Sequence, residues 1–136
     1  MEVSDIGAYA PIGENIDRIA ATIVDAGFKV HRTLGPGLLE SAYEQCLAYE
    51  LGERRLSVRR QVPLSITYGR LKIDAAYRID MIVEEKVVVE VKAVEALTPT
   101  HHAQLLTYLK LSDLRLGFLM NFNVPLFKQG VKRVAR

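Results

Sequence analysis

The fold is decided by the stretch DMIVEEKVVVEVK at residues 80–92. Two apolar, β-branched runs flank a polar turn at 84–86, a pattern that predicts a β-hairpin. If the turn is symmetric, Asp80 lies opposite Glu90, and opposite residues share a face with Cβ atoms about 5 Å apart. Lys92 is two residues further on and lies on that face too. The other face of the second strand is expected to be core, with Val87, Val89 and Val91.

This convergence indicates a specific chemistry. Two carboxylates on adjacent strands can bind a hard divalent cation such as Mg²⁺ or Mn²⁺, and the carbonyl of Val91 could add another oxygen ligand. Lys92 could orient a water or stabilise charge on a phosphate. The set is therefore suited to metal-assisted phosphodiester hydrolysis. The alternative is a cross-strand ion-pair ladder on a solvated sheet face, which is a common structural feature without chemistry.

Helices are predicted before and after the hairpin. Apolar residues at helical spacing predict a first helix capped by Asn15 and ended at 34–37, where two glycines and a proline follow Leu34. A second helix is expected to end at Gly52, with one apolar face formed by Leu39, Tyr43, Cys46, Leu47 and Leu51. Thr98 and Pro99 are typical of a helix start and open a third helix to about Leu111.

Strands are predicted from residues that alternate in polarity. Alternation gives a strand over 62–68, followed by strands at 71–83, 87–94 and 116–122, and a last short strand at 131–134. The element order is α-α-β-β-β-α-β-(β). This order predicts an α/β (α+β) fold with a mixed central sheet flanked by helices.

Length and composition limit the classes of protein to which this chain can belong. The 136 residues are expected to form one domain, with residues 1–13 as a loose N-terminal arm. A single cysteine excludes an intramolecular disulfide framework and a multi-cysteine zinc site. No apolar run approaches the length of a membrane span, and the N-terminus lacks the features of a secretory signal. A cytoplasmic protein without a membrane partner is therefore expected.

Charge is unevenly distributed along the chain. The stretches 54–72 and 126–136 carry ten cations and no acid, although the net charge is only +2. A chain that separates its charge in this way can offer a basic face to a polyanion. The alternative, which is the usual one for runs of charge, is two solvated surfaces. The candidate nucleic-acid contacts are Arg54, Arg55, Arg59, Arg60, Lys132 and Arg133.

Two further residue pairs share helix faces: Glu40 with Tyr43, and Gln104 with Tyr108. Together with the hairpin they give the chain a resemblance, over roughly residues 15–134, to the small bacterial and archaeal GxxExxY proteins, a branch of the PD-(D/E)xK nuclease-like superfamily. The naming motif is GLLESAY at 37–43, and the superfamily core motif is Asp80 followed by EVK at 90–92. Ile79 stands where that superfamily nominally has a proline.

The resemblance implies a restriction-endonuclease-like core and a Mg²⁺- or Mn²⁺-dependent nuclease acting on DNA. By position, it implies that Asp80 and Glu90 bind the metal and that Lys92 is catalytic. It also makes Glu40 a further metal ligand or water-orienting group, has Tyr43 pack or orient Glu40, and puts Gln104 and Tyr108 beside the site. Two alternatives remain open: a catalytically silent binding or scaffold subunit, and a resolvase-like homodimer that recognises branched DNA.

Overall fold

The computed structural model describes residues 11–136. Most of the predicted N-terminal arm, residues 1–10, lies outside the described residues, and residues 11–13 have no regular secondary structure. Three helices follow in this part of the chain: α1 at Glu14–Leu34, α2 at Glu40–Glu53 and α3 at Pro99–Ser112. None of the three has the length and apolar character needed to cross a membrane.

The helix ends differ from the sequence predictions at three points. Asn15 lies inside the first turn of α1, and Gly13 at φ 102° is the N-cap residue, without a side-chain hydrogen bond. Helix α2 continues past Gly52 to Glu53 and ends where Arg55 takes a left-handed φ of 64°. Leu39 precedes α2 as its N-cap and is 77% exposed, so it is not part of the buried face. The predicted Thr98 cap is confirmed, since its side chain accepts from the His101 N–H at 3.3 Å.

Five strands form one mixed sheet within residues 11–136: β1 at Val58–Tyr68, β2 at Leu71–Val83, β3 at Val87–Lys92, β4 at Leu116–Asn121 and β5 at Val131–Ala135. The strands lie in sequence order. β3 and β4 are parallel, and the other neighbours are antiparallel. Helix α3 makes the crossover that a parallel pair requires. A short 3₁₀ turn at Phe127–Gln129 precedes β5. The predicted fold class and element order, including the last short strand, are confirmed.

The register of the β2–β3 hairpin is the predicted one. Met81 pairs with Val89 and Val83 with Val87, a register that places Asp80 beside Glu90. Glu84 and Glu85 both have a φ of 54°, and this left-handed backbone reverses the chain in a short turn.

The sheet has a hydrophobic core on each face. Val87, Val89 and Val91 pack with α1 and α2, whereas Val88 packs with α3. Glu90 lies on the α3 side and is only 3% exposed. Helix α3 covers the sheet face on which Glu90 lies. The alternative of an ion-pair ladder on a solvated face is therefore wrong for Glu90.

Candidate active site

Asp80 and Glu90 are joined by two hydrogen bonds that run through the backbone. The N–H of Asp80 donates to Oε2 of Glu90 at 2.8 Å, and the N–H of Val91 donates to Oδ2 of Asp80 at 2.9 Å. One oxygen of each carboxylate is thus held by a backbone amide, which fixes the orientation of the side chain. The second oxygens, Oδ1 and Oε1, remain for other ligands.

Burial disfavours the ionised form of both carboxylates. Burial first, and the neighbouring charge of Asp80 second, raise the pKa of Glu90 to about 8, although the ammonium of Lys92 opposes them. Burial also raises the pKa of Asp80, although the hydrogen bond from Val91 opposes that effect. Two carboxylates this close in a desolvated site disfavour each other's ionisation, and a cation beside them favours it.

Lys92 supplies positive charge at the rim of the pair. Its Nζ lies 3.9 Å from Oε1 of Glu90, and its side chain is 16% exposed. It is the last residue of β3, so the ammonium lies where the strand ends and the surface begins. From that position it can reach a molecule that approaches the carboxylates from solvent.

The donor set fits a divalent cation at this pair. Carboxylate oxygens that backbone amides hold in a fixed orientation are the hard ligands that Mg²⁺ and Mn²⁺ prefer. Within residues 11–136 there is no cluster of three or more His, Cys, Asp or Glu side chains already arranged around one point. Any cation held here would therefore use Asp80 and Glu90 together with other oxygens.

A comparison with protein-family models gives a match over most of the chain. Residues 17–134 match the model of the PD-(D/E)XK nuclease superfamily. The chain belongs to the PD-(D/E)XK nuclease superfamily. No curated protein and no solved structure matches it. PD-(D/E)XK nucleases generally use divalent metals, which agrees with the donor set at Asp80 and Glu90.

Glu40 reaches the same end of β3 from the start of α2. Its Oε2 accepts a hydrogen bond from the N–H of Ala93 at 3.3 Å, one residue after Lys92. The side chain is exposed, so its other oxygen is accessible from solvent. The structure thus places this predicted acid beside the end of the strand that carries Glu90 and Lys92.

Tyr43 is buried, and its hydroxyl bonds to the loop before α2 rather than to Glu40. The hydroxyl donates to the carbonyl of Gly35 at 2.6 Å and accepts from the N–H of Leu38 at 3.1 Å. The ring stacks on Phe122 at a centroid distance of 4.7 Å. The tyrosine of the GxxExxY motif therefore fixes the loop that leads into α2, and the position of Glu40 at the helix start depends on that loop.

Glu44 and Gln61 belong to the site and were missed in the sequence. Glu44 is buried and accepts from Gln61 Nε2 at 3.0 and 3.1 Å and from Arg60 Nε at 3.1 Å. Gln61 Nε2 also lies 3.5 Å from Oδ1 of Asp80. The charge of Glu44 contributes to the raised pKa of both Asp80 and Glu90. The available signal was its spacing, since Glu44 is one helical turn after Glu40.

Gln61 marks a break in the regular alternation of the sheet. Its φ of 51° is left-handed, which is uncommon for a residue other than glycine. On the neighbouring strand, Met81 packs in the α1/α2 core but Ile79 packs in the α3 core. Asp80 therefore lies at the point where strand β2 changes the side on which its apolar residues pack.

Tyr108 lies beside the carboxylate pair from α3. Burial and the negative charges of Glu90 and Asp80 raise its pKa to about 12, so the phenol keeps its proton at neutral pH. Gln104 is half-buried one turn earlier on the same helix. The structure thus brings Tyr108 to the site, and Gln104 occupies the adjacent position on the same helix face.

The predicted nucleic-acid contacts fall into two groups on opposite edges of the described sheet. At the first edge, Arg59 on β1 donates to Glu85 at 2.6 and 2.8 Å, and Arg60 on β1 pairs with Glu44. Arg54 and Arg55 lie in the turn between α2 and β1, where Arg54 pairs with Asp25 and Glu50 and Arg55 is exposed. At the β5 edge, Arg133 lies 3.2 Å from Asp17 and Lys132 is exposed. The edges are four strand spacings apart, or about 19 Å.

Proposed function

We propose that this protein hydrolyses phosphodiester bonds in DNA with Mg²⁺ or Mn²⁺, and that it belongs to the GxxExxY branch of its superfamily. One observation carries the proposal: backbone amides orient the buried Glu90 and the half-buried Asp80 beside each other, with the ammonium of Lys92 at their rim. A pair maintained only for stability would gain from being replaced by apolar residues, because burying carboxylates is unfavourable. The arrangement is understandable if a divalent ion completes it.

Each residue of the site has a proposed role. Asp80 and Glu90 hold the ion, with Glu40 and the carbonyl of Val91 as further oxygen ligands. When bound, the divalent ion lowers the pKa of a water molecule and neutralises charge on the phosphate. Lys92 orients the attacking water or stabilises the phosphate from the rim of the pair.

The helix α3 side chains and the basic residues act on the substrate. The protonated phenol of Tyr108 can donate a hydrogen bond to a phosphate oxygen, and Gln104 can do so from the preceding turn. Arg54, Arg55, Arg59 and Arg60 are proposed to contact the DNA backbone at the β1 edge, with Lys132 and Arg133 at the other edge. Contacts to phosphates give affinity without sequence preference.

Cleavage of labelled linear and supercoiled DNA in Mg²⁺ tests the proposal. Asp80→Asn should lower the rate by about 10²-fold or more, on the scale of removing a positioned catalytic group. Asp74→Asn is the matched control, because Asp74 lies on the same strand but its side chain is 81% exposed and pairs with Lys72 on the surface. Absence of cleavage by the wild type under all divalent metals would contradict the proposal and favour a silent scaffold subunit.

A further inference from the structure

Strands β1 and β2 extend well beyond the rest of the sheet. β3 pairs with β2 only from Met81 to Val83, whereas β1 pairs with β2 over nearly its whole length. Residues 64–77 therefore form a two-stranded ribbon that projects from the domain, here called the arm. A two-stranded ribbon with one apolar face needs a second layer to be stable.

The arm carries three large apolar cross-strand pairs, Leu64 with Tyr77, Ile66 with Ile73, and Tyr68 with Leu71, and the register shifts between the first pair and the second. Because Leu64, Ile66 and Tyr68 alternate along β1, the three pairs share one face of the arm. At the base, Leu64 packs against the α3 core, and the Tyr77 ring lies 6.0 Å from the Tyr108 ring. Towards the tip no helix of the described chain covers the face. Tyr68 is 79% exposed, Leu71 57%, and Ile73 and Tyr77 are each 44% exposed. We call these six residues the apolar stripe.

The charges of the arm lie away from the apolar stripe. Lys72 and Asp74 alternate with Leu71 and Ile73, so they lie on the opposite face, where they pair at 3.6 Å. Arg70 is in the turn at the tip. Because recognition of a DNA backbone depends on cations, the uncharged stripe is suited to a protein surface rather than to nucleic acid.

The area of the apolar stripe matches what a small homodimer needs. An aromatic side chain presents about 200 Å² when free, so the exposed parts of the stripe amount to roughly 400 Å². A typical interface buries about 800 Å² on each partner, and in homodimers about two-thirds of that area is apolar. One stripe thus supplies most of the apolar area required on its side.

We propose that the apolar stripe docks on the same stripe of a second copy of this chain, so that two arms pack face to face about a twofold axis. The stripe carries no charge that would need a complementary charge in a different partner. It is therefore complementary to itself, as a twofold interface must be. In the dimer each ribbon becomes the second layer that the other one lacks.

Sedimentation velocity without DNA or divalent metal tests this interface independently of catalysis. Over about 1–500 µM, the wild type should shift from the 15.2 kDa monomer to a species of twice that mass. The double variant Leu71→Lys/Ile73→Lys should remain monomeric, because like charges would face each other across the axis. Lys72→Ala is the matched control on the opposite face of the arm and should dimerise as the wild type does. Circular dichroism of each variant reports whether it is folded.

A cysteine substitution gives a second, local test. Ile73→Cys should form a disulfide-linked dimer under mild oxidation, whereas Lys72→Cys should not exceed the background from Cys46 in the wild type. A wild type that stays monomeric at the highest concentration would overturn the proposal. A dimer that persists in Leu71→Lys/Ile73→Lys would overturn it too. The same holds if the wild type is a monomer and the only defect of the double variant is in DNA binding.

Discussion

The backbone N–H of Asp80 donates to the carboxylate of Glu90 at 2.8 Å. This bond joins β2 to β3, which the short turn at 84–86 connects. It orients the buried carboxylate of Glu90 near the end of β3. Because Asp80 is in turn held by the amide of Val91, a change at either acid alters the position of the other. The two acids therefore act as one unit, and their titrations and contributions to stability are coupled.

The first prediction concerns the pH dependence of stability without metal. The pKa of Glu90 is raised from 4.5 to about 8, so the folded chain keeps a proton that the unfolded chain has lost. The contribution of Glu90 to stability is therefore fully present below pH 4.5, falls as pH rises towards about 8, and does not change further above that pH. Glu90→Gln should remove most of this slope and stabilise the protein at pH 8 by on the order of 2–4 kcal/mol.

Urea denaturation in a metal chelator, repeated from pH 5 to pH 9, measures this dependence. Glu95→Gln is the control, because Glu95 is exposed in the loop before α3. Glu84 and Glu85 have lowered pKa values, so they contribute stability that is lost only as pH falls below about 4.5. A wild-type stability that rises between pH 5 and pH 8 would contradict the assigned direction for Glu90.

The second prediction separates catalysis by Lys92 from an architectural role. Lys92→Ala should keep its melting temperature in Mg²⁺ and should bind the ion at least as well, because a competing positive charge is removed. DNA cleavage should nevertheless fall by about 10²-fold or more. Lys86→Ala, an exposed substitution in the hairpin turn, is the control. Cleavage at the wild-type rate in Lys92→Ala would exclude a catalytic role.

The third prediction concerns the loop before α2. Tyr43→Phe removes a hydroxyl that donates to the carbonyl of Gly35 and accepts from the N–H of Leu38, so both backbone groups lose a hydrogen bond. The free energy of unfolding should fall by about 1–3 kcal/mol. Tyr49→Phe, at a residue 66% exposed on the same helix, should change it by less than about 0.5 kcal/mol. Equal effects of the two substitutions in thermal unfolding would argue against the assigned role of Tyr43.

The fourth prediction concerns salt. If Arg59 and Arg60 contact phosphates, log affinity for duplex DNA should fall linearly with log salt, and replacing both by alanine should reduce the slope by up to about 2. The ion pairs with Glu85 and Glu44 compete with DNA, so a reduction below 2 is expected. Arg18→Ala on α1 serves as the control in fluorescence anisotropy titrations. A wild-type slope near zero would contradict a backbone-contact surface.

The sequence was sufficient for features that depend on short-range patterns. The turn at 84–86 lies between two apolar runs, so its centre fixed the register and brought Asp80 beside Glu90. The order of helices and strands followed from the periodicity of apolar residues. The N-cap of α1 was mispredicted, because Gly13 adopts a left-handed backbone that no side-chain pattern announces.

Long-range features of the site were not predictable in the same way. Glu44 on α2 meets Gln61 on β1 through a contact between elements that only the packed fold brings together. The left-handed backbone at Gln61 and the burial of Glu90 also result from packing of the sheet. Leu39 was assigned to the core because it fits the helical period, but it lies before the first turn of α2, where the chain is still at the surface.

Calorimetric titration with Mg²⁺ at pH 7 tests the central claim most directly. Since the pKa of Glu90 is about 8, binding of the ion to ionised Asp80 and Glu90 should release up to about one proton per ion. Titrations in buffers of different ionisation enthalpy measure this number, which should decline above pH 8. Asp80→Asn and Glu90→Gln should each weaken binding at least about tenfold. Mg²⁺ binding that releases no proton and is unchanged in both variants would contradict a metal site at Asp80 and Glu90.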